Sequence, residues 1–199
     1  MIHNFDRSLL HEREFALGAD NFYRTELNAT EILRYNTDSE HDMNFQHRDI
    51  DVTVTVNDRK FNVSEKFRDT DFGDLYIEVF SKYPQTMGWM HSGNPDFIAY
   101  FTPKAIYLIA HTDLKAFCLN TLFPSIPQEF FSEIFISGKT IVKKKFEINN
   151  KQTEIAVIQA HNCSGNVKWE TIGIAIHFDL LTTYDVKWRK YEKIVISDK

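Results

Sequence analysis

Two carboxylates, a lysine and a serine occur at spacings that can place them on one face of a small β-sheet. Asp51, Ser64, Lys66 and Glu78 lie in residues 49–81, in three segments where polar and apolar residues alternate. Such alternation is typical of half-buried strands. Two carboxylates can hold a hard divalent cation, and a lysine can orient or deprotonate a water molecule or stabilise a developing negative charge. These residues predict phosphodiester-cleaving chemistry; the alternative is a solvated sheet face with an Asp–Lys–Glu salt-bridge pattern.

The strand pairing decides whether these side chains meet. A two-residue turn at residues 58–59 places Asp51 opposite Lys66 and keeps the valines of the first strand against apolar partners. A second turn before the third strand places Ser64 opposite Glu78. In this register the four side chains form one patch.

Asp51 and the triplet Ser64-Glu65-Lys66 resemble the core of the PD-(D/E)xK nuclease superfamily. In that superfamily an aspartate at the start of one strand is followed, across a hairpin, by an acid-x-Lys sequence on the next. Asp51 matches the aspartate and Lys66 the lysine, whereas Ser64 stands at the acid position. Members of the superfamily relocate that acid, and Glu78 is the expected substitute.

The resemblance covers roughly residues 10–120 and implies an α/β (α+β) domain with a central mixed β-sheet flanked by helices, restriction-endonuclease-like in fold. It implies an endonuclease that cleaves DNA with Mg²⁺ or Mn²⁺ as cofactor. Asp51 and Glu78 would hold the metal, and Lys66 would position the attacking water or stabilise the charge on phosphorus.

Further acids are candidates for a supporting role. The imperfect helical pattern of residues 5–28 precedes the core, and in the superfamily such a helix often adds an acid; Asp20 is the expected residue, with Glu14 as the alternative. Strict alternation places Glu65 on the valine face, where an unpaired carboxylate is costly. Either a β-bulge turns Glu65 toward the site, or a basic group on a covering helix pairs with it.

The net charge of −5 argues against sequence-independent binding of DNA over the whole surface. The candidates for contact with DNA are therefore one loop and two clusters of basic residues. The loop with Trp89 and His91 resembles a segment of several phage and restriction-type members, and these side chains are candidates to contact a base or sugar. The alternative for Trp89 is a packing role. Basic residues cluster at residues 187–193 and, in the other run, at Lys143, Lys144 and Lys145.

The chain of 199 residues is long enough for one domain with a sizeable core. We expect a nuclease-like core in residues 1–135 and a β-rich part in residues 136–199, packed on the same domain, that carries substrate specificity or a homodimer contact. The polar segment of residues 37–49 contains two histidines but matches no zinc spacing, so it predicts a loop at the mouth of the site.

The compartment is expected to be the cytoplasm. No apolar run has the length of a membrane span, and the first ten residues lack the pattern of a secretion signal. The two cysteines suit a reducing environment.

The sequence therefore predicts a divalent-metal-dependent endonuclease that cleaves DNA. One alternative is a non-catalytic module that keeps the nuclease-like fold and binds nucleic acid or protein. Another is an α+β domain whose aromatic-rich interior holds a small molecule.

Overall fold

The computed structural model describes the backbone of residues 2–192 and the side chains of residues 16–192. In these residues the fold is a mixed α+β architecture with two β-sheets and six α-helices. The strands are β1 (Ile2–Asn4), β2 (Glu31–Arg34), β3 (Val52–Val56), β4 (Arg59–Phe67), β5 (Asp74–Lys82), β6 (Thr86–Met87), β7 (Phe97–Phe101), β8 (Ala105–Ala110), β9 (Ile141–Ile148), β10 (Lys151–Ser164), β11 (Val167–His177) and β12 (Trp188–Glu192). The helices are α1 (Phe5–Glu26), α2 (Glu40–Gln46), α3 (Trp89–Ser92), α4 (His111–Phe117), α5 (Gln128–Ser137) and α6 (Phe178–Thr183).

The described residues form two compact units, and the chain passes between them several times. The first unit takes in the described parts of Met1–His11, Asp74–Ser92 and Lys115–Leu180. The second takes in those of Glu12–Gly73, Gly93–Leu114 and Leu181–Lys199.

The second unit contains a six-stranded mixed sheet with the order β12-β8-β7-β4-β3-β2. Strands β2, β3 and β4 form an antiparallel meander, and β7 lies parallel to β4. Val52, Val54 and Val63 pack with Phe22 and Tyr23 of α1 in one buried cluster. The alternation of β3 and β4 thus gives one apolar face that α1 covers, as the periodicity predicts.

The β3–β4 loop consists of Asn57 and Asp58, which have positive φ angles of 48° and 60°. A two-residue loop with both φ angles positive is typical of a type I′ turn, which suits the twist of a hairpin and favours Asn and Asp. The predicted turn at residues 58–59 is therefore wrong by one residue, and Val52 pairs with Val63. The register differs from the predicted one by two residues, so every side chain keeps its predicted face.

The third strand of the predicted site, β5, pairs differently from the prediction. The parallel neighbour of β4 is β7, where Ser64 pairs with Ile98. Strand β5 lies between β11 and β6 in the first unit, and Glu78 pairs with Gly173. The predicted pairing of Ser64 with Glu78 is wrong, because alternation reports which face a residue occupies and not which strand lies beside it.

The sheet of the first unit has the order β1-β10-β11-β5-β6, and β9 pairs with β10. Helix α5 packs its phenylalanines against this sheet, with Phe130 near Phe146 and Phe131 near Phe80. The strands expected after residue 136 are present as β9, β10 and β11, but they share a sheet with β5, and β12 joins the other sheet. The basic run at residues 187–193 falls on β12, with residue 193 outside the described residues.

Two further observations concern the environment of the chain. No helix in the part that the structure describes is long and apolar enough to cross a membrane. Cys118 and Cys163 are free thiols, and burial raises the pKa of Cys118 far above its usual range.

Candidate active site

A polar cluster lies where β3 begins, beside the middle of β4. The Ser64 hydroxyl donates to Asp49 Oδ2 at 2.8 Å and lies 3.4 Å from Asp51 Oδ2. Lys66 Nζ donates to Asp49 Oδ1 at 2.7 Å. We call Asp49, Asp51, Ser64 and Lys66 the Asp–Lys cluster. One serine thus links two carboxylates, and one lysine pairs with the first of them.

The two carboxylates are positioned by the turn between α2 and β3. Asp49 has a φ of 57°, a left-handed conformation that aspartate adopts more readily than most residues. The next residue, Ile50, is completely buried, and its amide donates to the Phe45 carbonyl. Asp51 then donates its amide to Val63 O at 3.0 Å. Asp49 and Asp51 therefore lie on either side of the buried Ile50, and both carboxylates lie close to the Ser64 hydroxyl.

Burial dominates the electrostatics of Asp51. It raises the pKa of Asp51 from 3.8 to about 6, although the Lys66 ammonium opposes this shift. The Asp49 charge adds to the increase, and the Glu65 amide, which donates to Asp51 Oδ2 at 2.6 Å, works against it. Asp51 is consequently the group in the cluster whose charge changes near neutral pH.

Access to the Asp–Lys cluster is limited but not absent. The Lys66 and Asp49 side chains are 24% and 20% exposed, whereas Ser64 is completely buried. A ligand therefore reaches the cluster from the side of Lys66 and Asp49.

Asp49 lies in the segment that the sequence predicts to be a polar loop, and it is not among the predicted site residues. Asp51, Ser64 and Lys66, in contrast, are brought together as neighbours. The available signal for Asp49 was its closeness in sequence to Asp51, from which only the apolar Ile50 separates it.

Glu65 lies in a second cluster, on the face of β4 that α1 covers. Its carboxylate accepts from Arg34 at 2.8 Å and from the Tyr23 hydroxyl at 2.9 Å. Arg34 also donates to Asp20 at 2.6 Å. We call Asp20, Tyr23, Arg34 and Glu65 the Arg34 cluster.

The Arg34 cluster resolves the alternatives left open for Glu65. The basic partner comes from strand β2 and not from a helix, and the pairing of β4 with β7 runs without a bulge at Glu65. Burial disfavours the charged form of Arg34 and so lowers its pKa. The hydrogen bonds of Arg34 to Glu65 and Asp20 outweigh this effect, and the pKa of Arg34 is raised. Asp20 and Glu65 both bind Arg34, and a supporting role for them in a metal site stays a prediction. The side chain of Glu14 lies outside the described residues.

The remaining predicted residues lie in the first unit. Glu78 is part of β5. Trp89 and His91 occupy the short helix α3, not a loop. The His91 ring stacks on Phe123 with centroids 5.4 Å apart, and burial lowers the pKa of His91. Contact of Trp89 and His91 with DNA stays a prediction.

The lysines of β9 have contacts within the first unit. Lys144 Nζ lies 4.7 Å from the centroid of the Phe130 ring, and Lys143 Nζ lies 3.9 Å from Glu154. Strand β9 pairs with β10 alone among the described strands, and lysines on an edge strand discourage pairing with another chain. Contact of Lys143, Lys144 and Lys145 with DNA stays a prediction.

Comparison with protein-family models, with curated proteins and with solved structures finds no match. In the described part of the chain, no group of three or more His, Cys, Asp or Glu side chains is placed to hold a metal ion.

Proposed function

We propose that the protein is a divalent-metal-dependent endonuclease that cleaves phosphodiester bonds in DNA. The observation that carries the proposal is the Asp–Lys cluster, in which Ser64 lies 2.8 Å from Asp49 and 3.4 Å from Asp51, and Lys66 binds Asp49 at 2.7 Å. Two carboxylates beside a lysine are the groups that metal-assisted phosphodiester hydrolysis requires.

The surrounding fold supports membership of the PD-(D/E)xK superfamily. Helix α1 precedes the meander β2–β3–β4 of a mixed sheet. Asp51 stands at the start of β3, and Lys66 lies on the next strand. Ser64 occupies the acid position of the motif, and its hydroxyl binds the Asp49 carboxylate. We infer that Asp49 replaces the acid that the motif lacks.

The donor set fits Mg²⁺ or Mn²⁺. Mg²⁺ is commonly bound by one or two carboxylates, with water molecules and substrate phosphates completing its coordination. Asp49 and Asp51 would supply those carboxylates, and the part of Glu78 in the site stays a prediction. When bound, the metal supplies Lewis acidity and lowers the pKa of a water molecule.

The side chains of the cluster have separate tasks in this proposal. Lys66 holds its ammonium on Asp49 and can turn its remaining protons toward a phosphoryl oxygen or the attacking water. Ser64 keeps the two carboxylates together, and the Glu65 amide fixes the orientation of Asp51. Because the pKa of Asp51 is about 6, its carboxylate is ionised above that pH and the active form dominates at pH 7 to 8.

Cleavage of plasmid DNA with Mg²⁺ or Mn²⁺ tests the proposal. We expect Asp51→Ala and Lys66→Ala to lower the rate by several orders of magnitude, because each removes part of the metal and water arrangement. Asp38→Ala and Lys60→Ala are matched controls at exposed positions and should cleave at the wild-type rate. Full activity of Asp51→Ala and Lys66→Ala would show that the site is wrong.

The close pairing of Lys66 with Asp49 favours one second candidate, a non-catalytic module that binds nucleic acid or protein. In that case the 2.7 Å contact is a structural ion pair and no metal binds. Calorimetric titration with Mn²⁺, with and without DNA, separates the two. Absence of Mn²⁺ affinity in both titrations would favour the binding module.

A further inference from the structure

A groove crosses one face of the sheet in the first unit, formed by β5, β10 and β11. Its volume is about 580 Å³, and its lining includes the acid Glu78 together with Lys82, Asn162, Trp169 and Thr171. This volume lies within the range of pockets that hold ligands of nucleotide size.

The floor of the groove is held in place by hydrogen bonds. The Thr171 hydroxyl donates to the Ser81 carbonyl at 2.9 Å, which ties β11 to β5. The Asn162 amide donates to Thr171 Oγ1 at 2.8 Å, which ties β10 to β11. The pairing of β11 with β5 shifts register between Ile172 and Gly173, an irregularity that re-aims side chains at many binding sites. The polar groups are therefore oriented before a ligand arrives.

The groove places an aromatic ring beside a cation. Trp169 is half-buried, and Lys82 Nζ, on an exposed side chain, lies 5.4 Å from the centroid of its ring. Proteins that bind single-stranded nucleic acid combine these two features, because the ring stacks on a base and the cation binds the adjacent phosphate. A neutral sugar can use the ring and the hydroxyl groups, but it gives the ammonium group no partner of opposite charge.

We propose that this groove binds one unpaired nucleotide of a single-stranded DNA segment, with its base on Trp169 and its phosphate at Lys82. The base must be unpaired, because in a duplex both of its faces are covered by neighbouring bases. The Asn162 amide nitrogen and the Thr171 hydroxyl donate within the floor of the groove, so the Asn162 amide oxygen is the group proposed to meet the edge of the base. The choice of DNA rests on the proposed function, but binding at the groove needs no metal.

Fluorescence anisotropy of a labelled single-stranded oligonucleotide, measured in EDTA, tests the base contact. Stacking on an aromatic ring contributes about 1–3 kcal/mol per base, so Trp169→Ala is expected to weaken binding about 5- to 150-fold. Trp169→Phe keeps an aromatic ring and is expected to retain most of the affinity. No measurable binding by the wild type, or equal binding by Trp169→Ala, would overturn the proposal.

The salt dependence of the same titration tests the phosphate contact. Lys82→Ala is expected to reduce the slope of log K against log salt by about 0.7, the value for one phosphate contact to a single strand. Lys104→Ala removes an exposed positive charge of the second unit and should leave the slope unchanged. An unchanged slope for Lys82→Ala would overturn the phosphate assignment.

Competition experiments with two other ligands separate this inference from its alternatives. A free deoxynucleoside monophosphate is expected to compete, because it carries the same base and phosphate, and its failure to compete would overturn the assignment. A neutral oligosaccharide that competes would overturn the nucleotide class. Asp38→Ala, at an exposed position of the second unit, should bind the oligonucleotide as tightly as the wild type. If the wild type binds through Trp169 but cleaves no DNA, only the proposed function fails.

Discussion

Asp51 is half-buried, and its proposed role as a metal ligand needs its charge. Its pKa is raised from 3.8 to about 6. Between these pH values the folded state keeps a proton that the unfolded state has released, so the free energy of unfolding falls as the pH rises through this window. The ionised carboxylate thus destabilises the fold by at most about 3 kcal/mol at pH 7.

Substitution of Asp51 by Asn is expected to raise the free energy of unfolding by about 1–3 kcal/mol at pH 7, because Asn keeps an acceptor for the Glu65 amide without the charge. Below pH 4 the two proteins should have nearly equal stability. Urea unfolding at a series of pH values measures this difference. A constant difference across the series would show that the ionisation of Asp51 is not its cause.

The sequence predicts some residues of the site and misses others for identifiable reasons. Asp51 and Lys66 are predictable because alternation fixes their face, and a register error of two residues leaves that face unchanged. Asp49 sits in a turn at positive φ, where no periodicity exists to place it. Ser64 is understood only when its bond to Asp49 is seen.

At the scale of elements, the Arg34 cluster joins α1, β2 and β4. Arg34 lies on β2, Glu65 on β4, and Asp20 and Tyr23 on α1. The sequence indicates that Glu65 needs a partner, but it does not show which element supplies one. The partner depends on the adjacency of three elements, which local pattern does not encode. For the same reason, local pattern predicts β5 beside β4, although β5 lies in the other sheet.

Removal of the Glu65 carboxylate is expected to destabilise the protein strongly. Glu65→Ala leaves the half-buried Arg34 guanidinium with Asp20 and the Ala16 carbonyl as its partners and should lower the free energy of unfolding by about 3 kcal/mol or more. Tyr23→Phe removes one hydrogen bond and should lower it by only about 1–2 kcal/mol. Chemical denaturation measures both; a smaller loss for Glu65→Ala than for Tyr23→Phe would contradict the assigned geometry.

At the scale of the whole molecule, the chain builds each unit from separated segments. Strand β5 finds its partner in β11, and β8 pairs with β12 near the end of the described chain. The mixed α+β class and most strands follow from periodicity, but this interleaving depends on contacts between residues far apart in the chain. A division of the chain at residue 135 separates strands that pair.

A fragment of residues 1–135 is therefore expected not to fold cooperatively. It lacks β11 and β12, so β5 and β8 each present an edge without their observed partner. Urea unfolding of the fragment, followed by circular dichroism, should show no sigmoidal transition, in contrast to the full chain. A cooperative transition in the fragment would show that residues 1–135 contain a complete folding unit.

The most direct test of the central claim is the DNA cleavage rate of Asp49→Asn, measured under single-turnover conditions with Mg²⁺. Asp49 was located by the structure and is proposed to be the acid that the Ser64 position lacks. We expect a rate about a hundredfold or more below the wild type, because the variant loses a metal ligand and the partner of Lys66. The exposed control Asp38→Asn should match the wild type. Cleavage by Asp49→Asn at the wild-type rate would contradict the account of the active site.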